Sequence, residues 1–217
     1  MQRAALTLEH VVRSAVAVLD SDGMDGLSMR HLGQRLGATA TALYWHVENR
    51  EDLIRLASDH VWGEAELPDV GTADWRATAV VMANNLHATL NRHPWLIQAV
   101  GASPVCGPNR SRYDDHHIAV YEAAGFARDQ ADRAAFAVSA YVLGAALKAA
   151  TATPGAWRSV HGAPRRRQDA PQRDTADCVP GRSTQPAVPV GAPELPEGYS
   201  CGLQALLDGL ASGLAGH

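Results

Sequence analysis

The tightest constraint in this chain lies in "GLSMRHLGQRLGATATALYWHVEN", where two short apolar repeats are separated by one glycine. Ser28 is an N-cap, and Met29, Leu32 and Leu36 follow at the three- and four-residue spacing of one helix face. Gly37 stands where a helix ends in left-handed backbone, the conformation glycine adopts at least cost. Leu43 and Val47 restart the helical spacing within a few residues, and Asn49 caps the next helix. Helices this short do not hold themselves up in water, so the pair needs a brace. The preceding run supplies it: Thr7 caps a stripe of Leu8, Val11, Val12, Ala15, Ala17 and Leu19 that ends at "DSDGMDG". Three helices with a Gly turn between the last two make the helix-turn-helix outline.

The rest of the chain also reads as helix. "REDLIRLASDHVWGEAE" continues from Asn49, and Leu67, Pro68 and Gly71 break the pattern. Asp74 caps a helix with Trp75, Ala79, Met82, Leu86 and Leu90 on one face; Pro94 ends it and allows a short helix at "WLIQAV". "GASPVCGPN" is a loop, and a helix over 110–124 stops at Gly125. The strongest long helix, at about 129–152, carries Ala131, Ala135, Val138, Val142 and Ala145 on one face and Phe136, Ala140, Leu143 and Leu147 on another, so it needs two partners. At about 154–196 the composition shifts to Pro, Arg, Asp, Ser and Gly, which cannot bury enough surface to offset the entropy of ordering; the expectation is a disordered or loosely held insertion. The tail recovers a stripe at Leu203, Leu206, Leu207, Leu210 and Leu214. With no strand pattern, the expected fold is all-α: an N-terminal three-helix DNA-binding domain over 1–50 and a larger helical regulatory and dimerisation domain over 51–217.

Charge and motifs exclude more than they identify. The net charge is −4, so no global positive field marks a nucleic-acid binder, and such contact must come from a local surface. Cys106, Cys178 and Cys201 are odd in number and lack CxxC spacing, which argues against a disulfide framework and a structural zinc, and fits a reduced cytoplasm. Glu9, His10 and Arg13 interrupt the first apolar stripe, so it is neither signal peptide nor membrane span, and no other window is expected to reach spanning length. An all-helical enzyme is the competing class. Against it, the chain has no nucleophile elbow, phosphate loop or dinucleotide fingerprint, and no cofactor is expected. In "DDHH", at 114–117, successive side chains fan out by about 100°, leaving only Asp114 and His117 to share an ion. Two ligands do not make a site, so no metal is expected.

The segment "TATALYWH" concentrates chemistry in a chain that is 6% aromatic. Small residues at the leading end of a recognition helix let its backbone approach the major groove, and the methyls of Thr39, Ala40, Thr41 and Ala42 can meet thymine methyls. Tyr44 and His46 can donate to phosphate oxygens, while Leu43 and Val47 point back into the three-helix core. Arg50 places a cation at a helix N-terminus, a mild penalty that a phosphate partner would offset.

"GLSMRHLGQRLGATATALYWHVENREDLIRLASD" resembles the DNA-binding segment of the TetR family of transcriptional repressors. The Trp45-His46-Val47 ending looks most like the tetracycline-repressor branch, and "NRHPWL", "GPN", "YEAAGF" and "GLQALLDGL" resemble the family's regulatory domain. The resemblance implies that Arg30 forks onto a guanine or its phosphate, that Thr39, Ala40, Thr41 and Ala42 face bases, and that Tyr44, Trp45, His46 and Arg50 contact the DNA backbone or brace the helix. The base-facing set lacks Gln, Asn and Arg and offers few hydrogen bonds for direct readout, which keeps open an interaction module that has lost specific DNA binding.

The resemblance further implies a homodimer on a palindromic operator, released by a small-molecule effector. The dimer would form through a four-helix bundle, with Ala131, Ala135, Val138, Val142 and Ala145 meeting Leu203, Leu206, Leu207 and Leu210. The effector pocket should be apolar with a few polar groups, and its expected lining is Trp75, Met82, Leu86, Trp95, Tyr113, His117, Tyr121 and Phe136.

Overall fold

The computed structural model describes residues 6–71, 74–102, 107–152, 195 and 198–214, and among these residues there are nine helices and no strand. The Pro-rich segment at about 154–196, apart from Leu195, lies outside the described residues, as do Cys106 and Cys178.

Local signals set the first four helices. Helix α1 (Leu8–Gly26) starts where Thr7 accepts the His10 N–H at 3.2 Å. Its buried stripe of Val11, Ala15, Val18 and Leu19 stops short of Gly23, whose φ of 70° kinks the helix inside the turn expected from "DSDGMDG". Helix α2 (Met29–Leu36) is capped by Ser28, which accepts the His31 N–H at 3.1 Å, and ends at Gly37 with φ 61°. Helix α3 (Ala40–Leu43) is a single turn capped by Thr39, and Tyr44, Trp45 and His46 form the turn after it rather than its last residues. Helix α4 (Arg50–Trp62) begins with reciprocal capping: Asn49 accepts the Asp52 N–H at 2.7 Å, and Asp52 accepts the Glu48 N–H at 3.2 Å. It starts where the sequence reading ends the head, yet packs on α1, with Leu53, Ala57 and Val61 fully buried.

Helices α5 (Trp75–Arg92), α6 (Trp95–Ala102), α7 (Pro108–Ala123), α8 (Arg128–Ala152) and α9 (Tyr199–Leu214) build the second unit. Its centre is the packing of α8 on α5 and α7, with α9 laid on α8. By length and composition alone α8 would also suffice to cross a bilayer over Arg128–Ala150, although Asp129, Asp132 and Arg133 interrupt its apolar run, and one side of it packs into this core.

That packing takes much of the expected dimer face into the subunit's own core. Ala131, Val138 and Val142 are fully buried within the subunit and Ala135 nearly so, because small side chains let α8 sit close against α5 and α7. Ala145 is half-buried. On α9, Leu203 and Leu207 are likewise buried in their own subunit, whereas Leu206 and Leu210 are half-buried. The second apolar stripe of α8 is the one that faces outward: Phe136 is 75% and Leu147 50% exposed, with Ala140 and Gly144 exposed between them.

Sequence reading also passed over Gly33. A Cβ built there would stand 2.8 Å from the Ala38 carbonyl oxygen, so α2 and the start of α3 approach each other across a glycine surface. Gly37 has open space around it and needs glycine only for its backbone. Gly33→Ala should therefore cost more than about 2 kcal/mol in urea unfolding, against about 1 kcal/mol for Gly37→Ala; equal costs would contradict the close approach.

Candidate nucleic-acid interface and regulatory core

The head presents one outward group of side chains. Leu43 and Val47 are buried in the three-helix core, which fixes the turn between them so that Tyr44 is 53% and Trp45 85% exposed. Arg30, Thr39 and Thr41 are exposed on the same α2–α3 unit, and Ala40, Ala42 and His46 are half-exposed. Thr39 spends its hydroxyl oxygen as acceptor for the Ala42 N–H at 3.2 Å, leaving its methyl and hydroxyl proton for other contacts.

Arg50 has partners inside the head. Its Nε donates to the Leu27 carbonyl at 2.8 Å and one Nη donates to the Met24 carbonyl. The guanidinium thus clamps the α1–α2 turn onto the start of α4, and that internal partner offsets the unfavourable charge at the helix N-terminus.

Three connections join this head to the second unit. Asp59 of α4 caps α7: its carboxylate accepts the Arg110 backbone N–H at 3.0 Å and the Asn109 side-chain N–H at 3.3 Å. Gly107 permits the approach, since a Cβ there would fall 2.2 Å from the Asp59 carboxyl. Above this cap the Arg110 guanidinium lies 4.1 Å from the Trp62 ring centroid and donates to Asp114 at 2.7 Å. The third connection is Asp20 of α1, whose Oδ1 accepts Trp95 Nε1 at 2.7 Å and faces His93 Nδ1 at 2.7 Å. Trp95, expected in the effector pocket, is buried at this α1–α6 joint and lines neither hollow described below.

The other expected effector residues separate into a core and a surface set. Trp62, Tyr113, His117, Tyr121 and Trp75 form a chain of ring contacts with centroids 5.0 to 5.9 Å apart, running from α4 through α7 to α5. Phe126 joins its far end, 5.4 Å from Trp75 and 5.7 Å from Tyr121. Met82 and Leu86 are buried apolar packing in the same core. Sequence reading found Tyr113, His117 and Tyr121 through their shared helix face but missed Trp62 and Phe126, which stand at helix ends and belong to no periodic stripe.

Two hollows open from this core. One, of about 240 Å³, is lined by Trp75, Thr78, Asp74, Val70 and Val120. The other, of about 200 Å³, lies between α7 and α8, with Arg110, Asp114, His117 and Ile118 on one wall and Asp132, Ala135, Phe136 and Ser139 on the other. Burial, with smaller contributions from His116 and Arg110, holds the His117 pKa down at about 4, so its ring is neutral near pH 7. Tyr121 Oη and Ser139 Oγ each lie 3.4 Å from one of its nitrogens. The "DDHH" run spreads around α7 as its spacing requires: His116 faces the Pro68 carbonyl at 2.7 Å, and Asp114 is taken by Arg110. Among the described residues no three His, Cys, Asp or Glu side chains come together to hold a metal.

Comparison with known proteins settles the lineage. Residues 11–57 match the family model of bacterial regulatory proteins, tetR family, and residues 67–214 match the tetracyclin repressor-like C-terminal domain. The chain belongs to the TetR family. It is 41% identical over 139 residues to an HTH-type transcriptional regulator of Saccharopolyspora erythraea, covering 64% of this chain and 59% of that protein. It is 34% identical over 145 residues to the HTH-type transcriptional repressor DrrR1 of Streptomyces coeruleorubidus, covering 66% of this chain and 54% of that protein. The chain thus spans little more than half the length of these two TetR-type relatives, which are named as regulator and repressor rather than as enzymes. A third similar protein is the tetracycline repressor class A from transposon 1721 in Escherichia coli, 31% identical over 142 residues, 64% of each chain. Among solved structures, ActR of Streptomyces coelicolor in complex with actinorhodin matches with TM-score 0.74 at 24% identity, covering 99% of this chain and 100% of that one. BioQ of Mycobacterium smegmatis matches with TM-score 0.69 at 26% identity, covering 96% and 99%.

His117 generates a pH prediction. An unfolded histidine takes up its proton near pH 6.5, whereas His117 in the fold resists protonation down to about pH 4. Its contribution is therefore fully present above pH 6.5 and is lost as pH falls through that window, by up to about 3 kcal/mol. Urea unfolding of His117→Gln should show a shallower loss of stability between pH 6.5 and 4.5 than the parent; parallel profiles would contradict the assignment.

Proposed function

We propose that this TetR-family chain is a homodimeric transcriptional repressor that binds a palindromic duplex and is released from it by a small molecule in the cytoplasm. The observation that carries the reading is the exposed Tyr44 and Trp45 pair at the end of α3, held rigidly outward by buried Leu43 and Val47. In this reading α3 enters the major groove. The methyl groups of Thr39, Ala40, Thr41 and Ala42 face bases, Tyr44, Trp45 and His46 meet the sugar-phosphate wall, and Arg30 reaches a guanine or its phosphate. Few hydrogen bonds are available at the base-facing positions, so sequence preference would rest on thymine methyls and groove shape.

Arg50 acts as a brace, not as a phosphate contact. Its supporting observation is the pair of donations to the Leu27 and Met24 carbonyls.

The dimer reading is supported by the outward stripe of Phe136, Ala140, Leu143, Gly144 and Leu147, a run of apolar surface along the middle of α8. A second copy related by a two-fold axis would cover this stripe with its own, using Ala140 and Gly144 for close helix approach, and Leu206 and Leu210 of α9 would flank it. The small-molecule reading is supported by the two hollows between the middle helices and by a similar protein whose name is tetracycline repressor.

Selection of bound fragments from random duplex DNA should enrich a two-fold symmetric sequence; no enrichment would overturn the repressor reading. In the same binding assay Tyr44→Ala should weaken binding and reduce its salt dependence, whereas Arg50→Ala should weaken it through loss of head stability at unchanged salt slope. A changed slope for Arg50→Ala would restore it as a phosphate contact. Phe136→Glu should yield a monomer by sedimentation and abolish binding to the symmetric duplex; a dimer that persists would place the interface elsewhere.

A further inference from the structure

The α7–α8 hollow has a charge pattern that its apolar neighbours do not explain. Two carboxylates, Asp114 and Asp132, face it with one guanidinium, Arg110. That guanidinium is spent: Nε donates to Asp114 and the flat group stacks on Trp62. Asp132 stands on the opposite wall, and the arginines near it on α8 are engaged elsewhere, Arg133 with Asp129 and Arg128 with Glu122. Among the described residues Asp132 has no ion-pair partner. His117 adds no positive charge, because burial keeps its ring neutral. Phe136 forms the outer lip, with its ring exposed beside Asp132 one helical turn away.

A net negative, partly apolar hollow with an aromatic lip attracts a cation and repels an anion. Its volume of about 200 Å³ is below the roughly 300–1,000 Å³ of drug-sized sites, so it fits a small molecule or one end of a larger one. We propose that this hollow is the effector site and that it selects an organic ammonium cation carried on an aromatic ring, with Asp132 as the counter-charge and Phe136 as the stacking surface. The proposal rests on the reading of the chain as an effector-controlled repressor. It also places the effector against Arg110, which touches both the hollow and, through Trp62, the helix that carries the head. Since Phe136 heads the proposed dimer stripe, the second copy would roof the site and exclude water from the ion pair.

Three probes share one indole ring and carry a cationic, a neutral and an anionic end: tryptamine, tryptophol and indole-3-acetate. Calorimetric titration of the 217-residue chain without DNA should rank tryptamine tightest, at least about fivefold over tryptophol, with indole-3-acetate weakest. Asp132→Asn should bring tryptamine to the level of tryptophol while leaving the unfolding midpoint and duplex binding in place. Equal affinities, a preference for indole-3-acetate, no heat from any probe at about 10 mM, or a tryptamine preference that survives Asp132→Asn would each overturn the proposal. If the chain still selects a symmetric duplex in those cases, the repressor reading stands and only the cation site falls. An Asp132-dependent tryptamine preference in a chain that selects no duplex would keep the site and remove the repressor.

Discussion

The carboxylate of Asp59 ties the end of α4 to the start of α7. It sits in the last turn of α4, buried among helices, and spends both oxygens on the first turn of α7. A helix N-terminus has free N–H groups and a partial positive charge, so an anion supplied by another helix both satisfies those donors and fixes the angle at which α7 leaves. Gly107 is required because any side chain would occupy the space of the carboxyl, and a Cβ at Gly63 would stand 3.1 Å from the Asn109 side chain. Arg110 then adds a second tie by stacking on Trp62. The head and the regulatory unit are therefore not two bodies on a linker. Helix α4 is buried against both, and displacement of α7 must either carry α4 with it or break this cap.

The α1–α6 joint works in parallel. Asp20 gathers the Trp95 indole and the His93 ring, and Glu64 lies 3.4 Å from the other nitrogen of His93. Two separate polar ties, one through α1 and one through α4, hold the same three-helix head. From the α4 tie the chain of rings runs from Trp62 to Trp75, a packed path of large side chains with little room to deform independently. A head held at two points moves as a unit.

What the sequence made legible follows from how local the deciding interaction is. Thr7, Ser28, Asn49 and Asp74 each bond to an N–H two or three residues on, so their roles as caps were readable from spacing alone. Gly37 was readable for the same reason. The faces of α8 were not: both stripes are apolar, and only the packing of α5 and α7 determines that the alanine and valine side goes inward while Phe136 and Leu147 remain outside. The intramolecular partners of Arg50 and Trp95 were not legible, because Leu27, Met24 and Asp20 lie 23 to 75 residues away. Gly33 carried no turn signature, since its role is to be small in the middle of a helix. The exposed Tyr44 and Trp45 were found through an aromatic cluster and a family likeness, and the structure adds that the turn holding them is anchored by Leu43 and Val47.

The central claim is that the head's stability is continuous with α7 through Asp59. Amide hydrogen exchange of the intact chain and of Asp59→Ala measures this directly, residue by residue. If α4 transmits the loss, protection falls at the first turn of α7 and also along α4 and into the core amides of α1 and α2. Loss of protection confined to the first turn of α7, with α1 and α2 unchanged, would contradict the account.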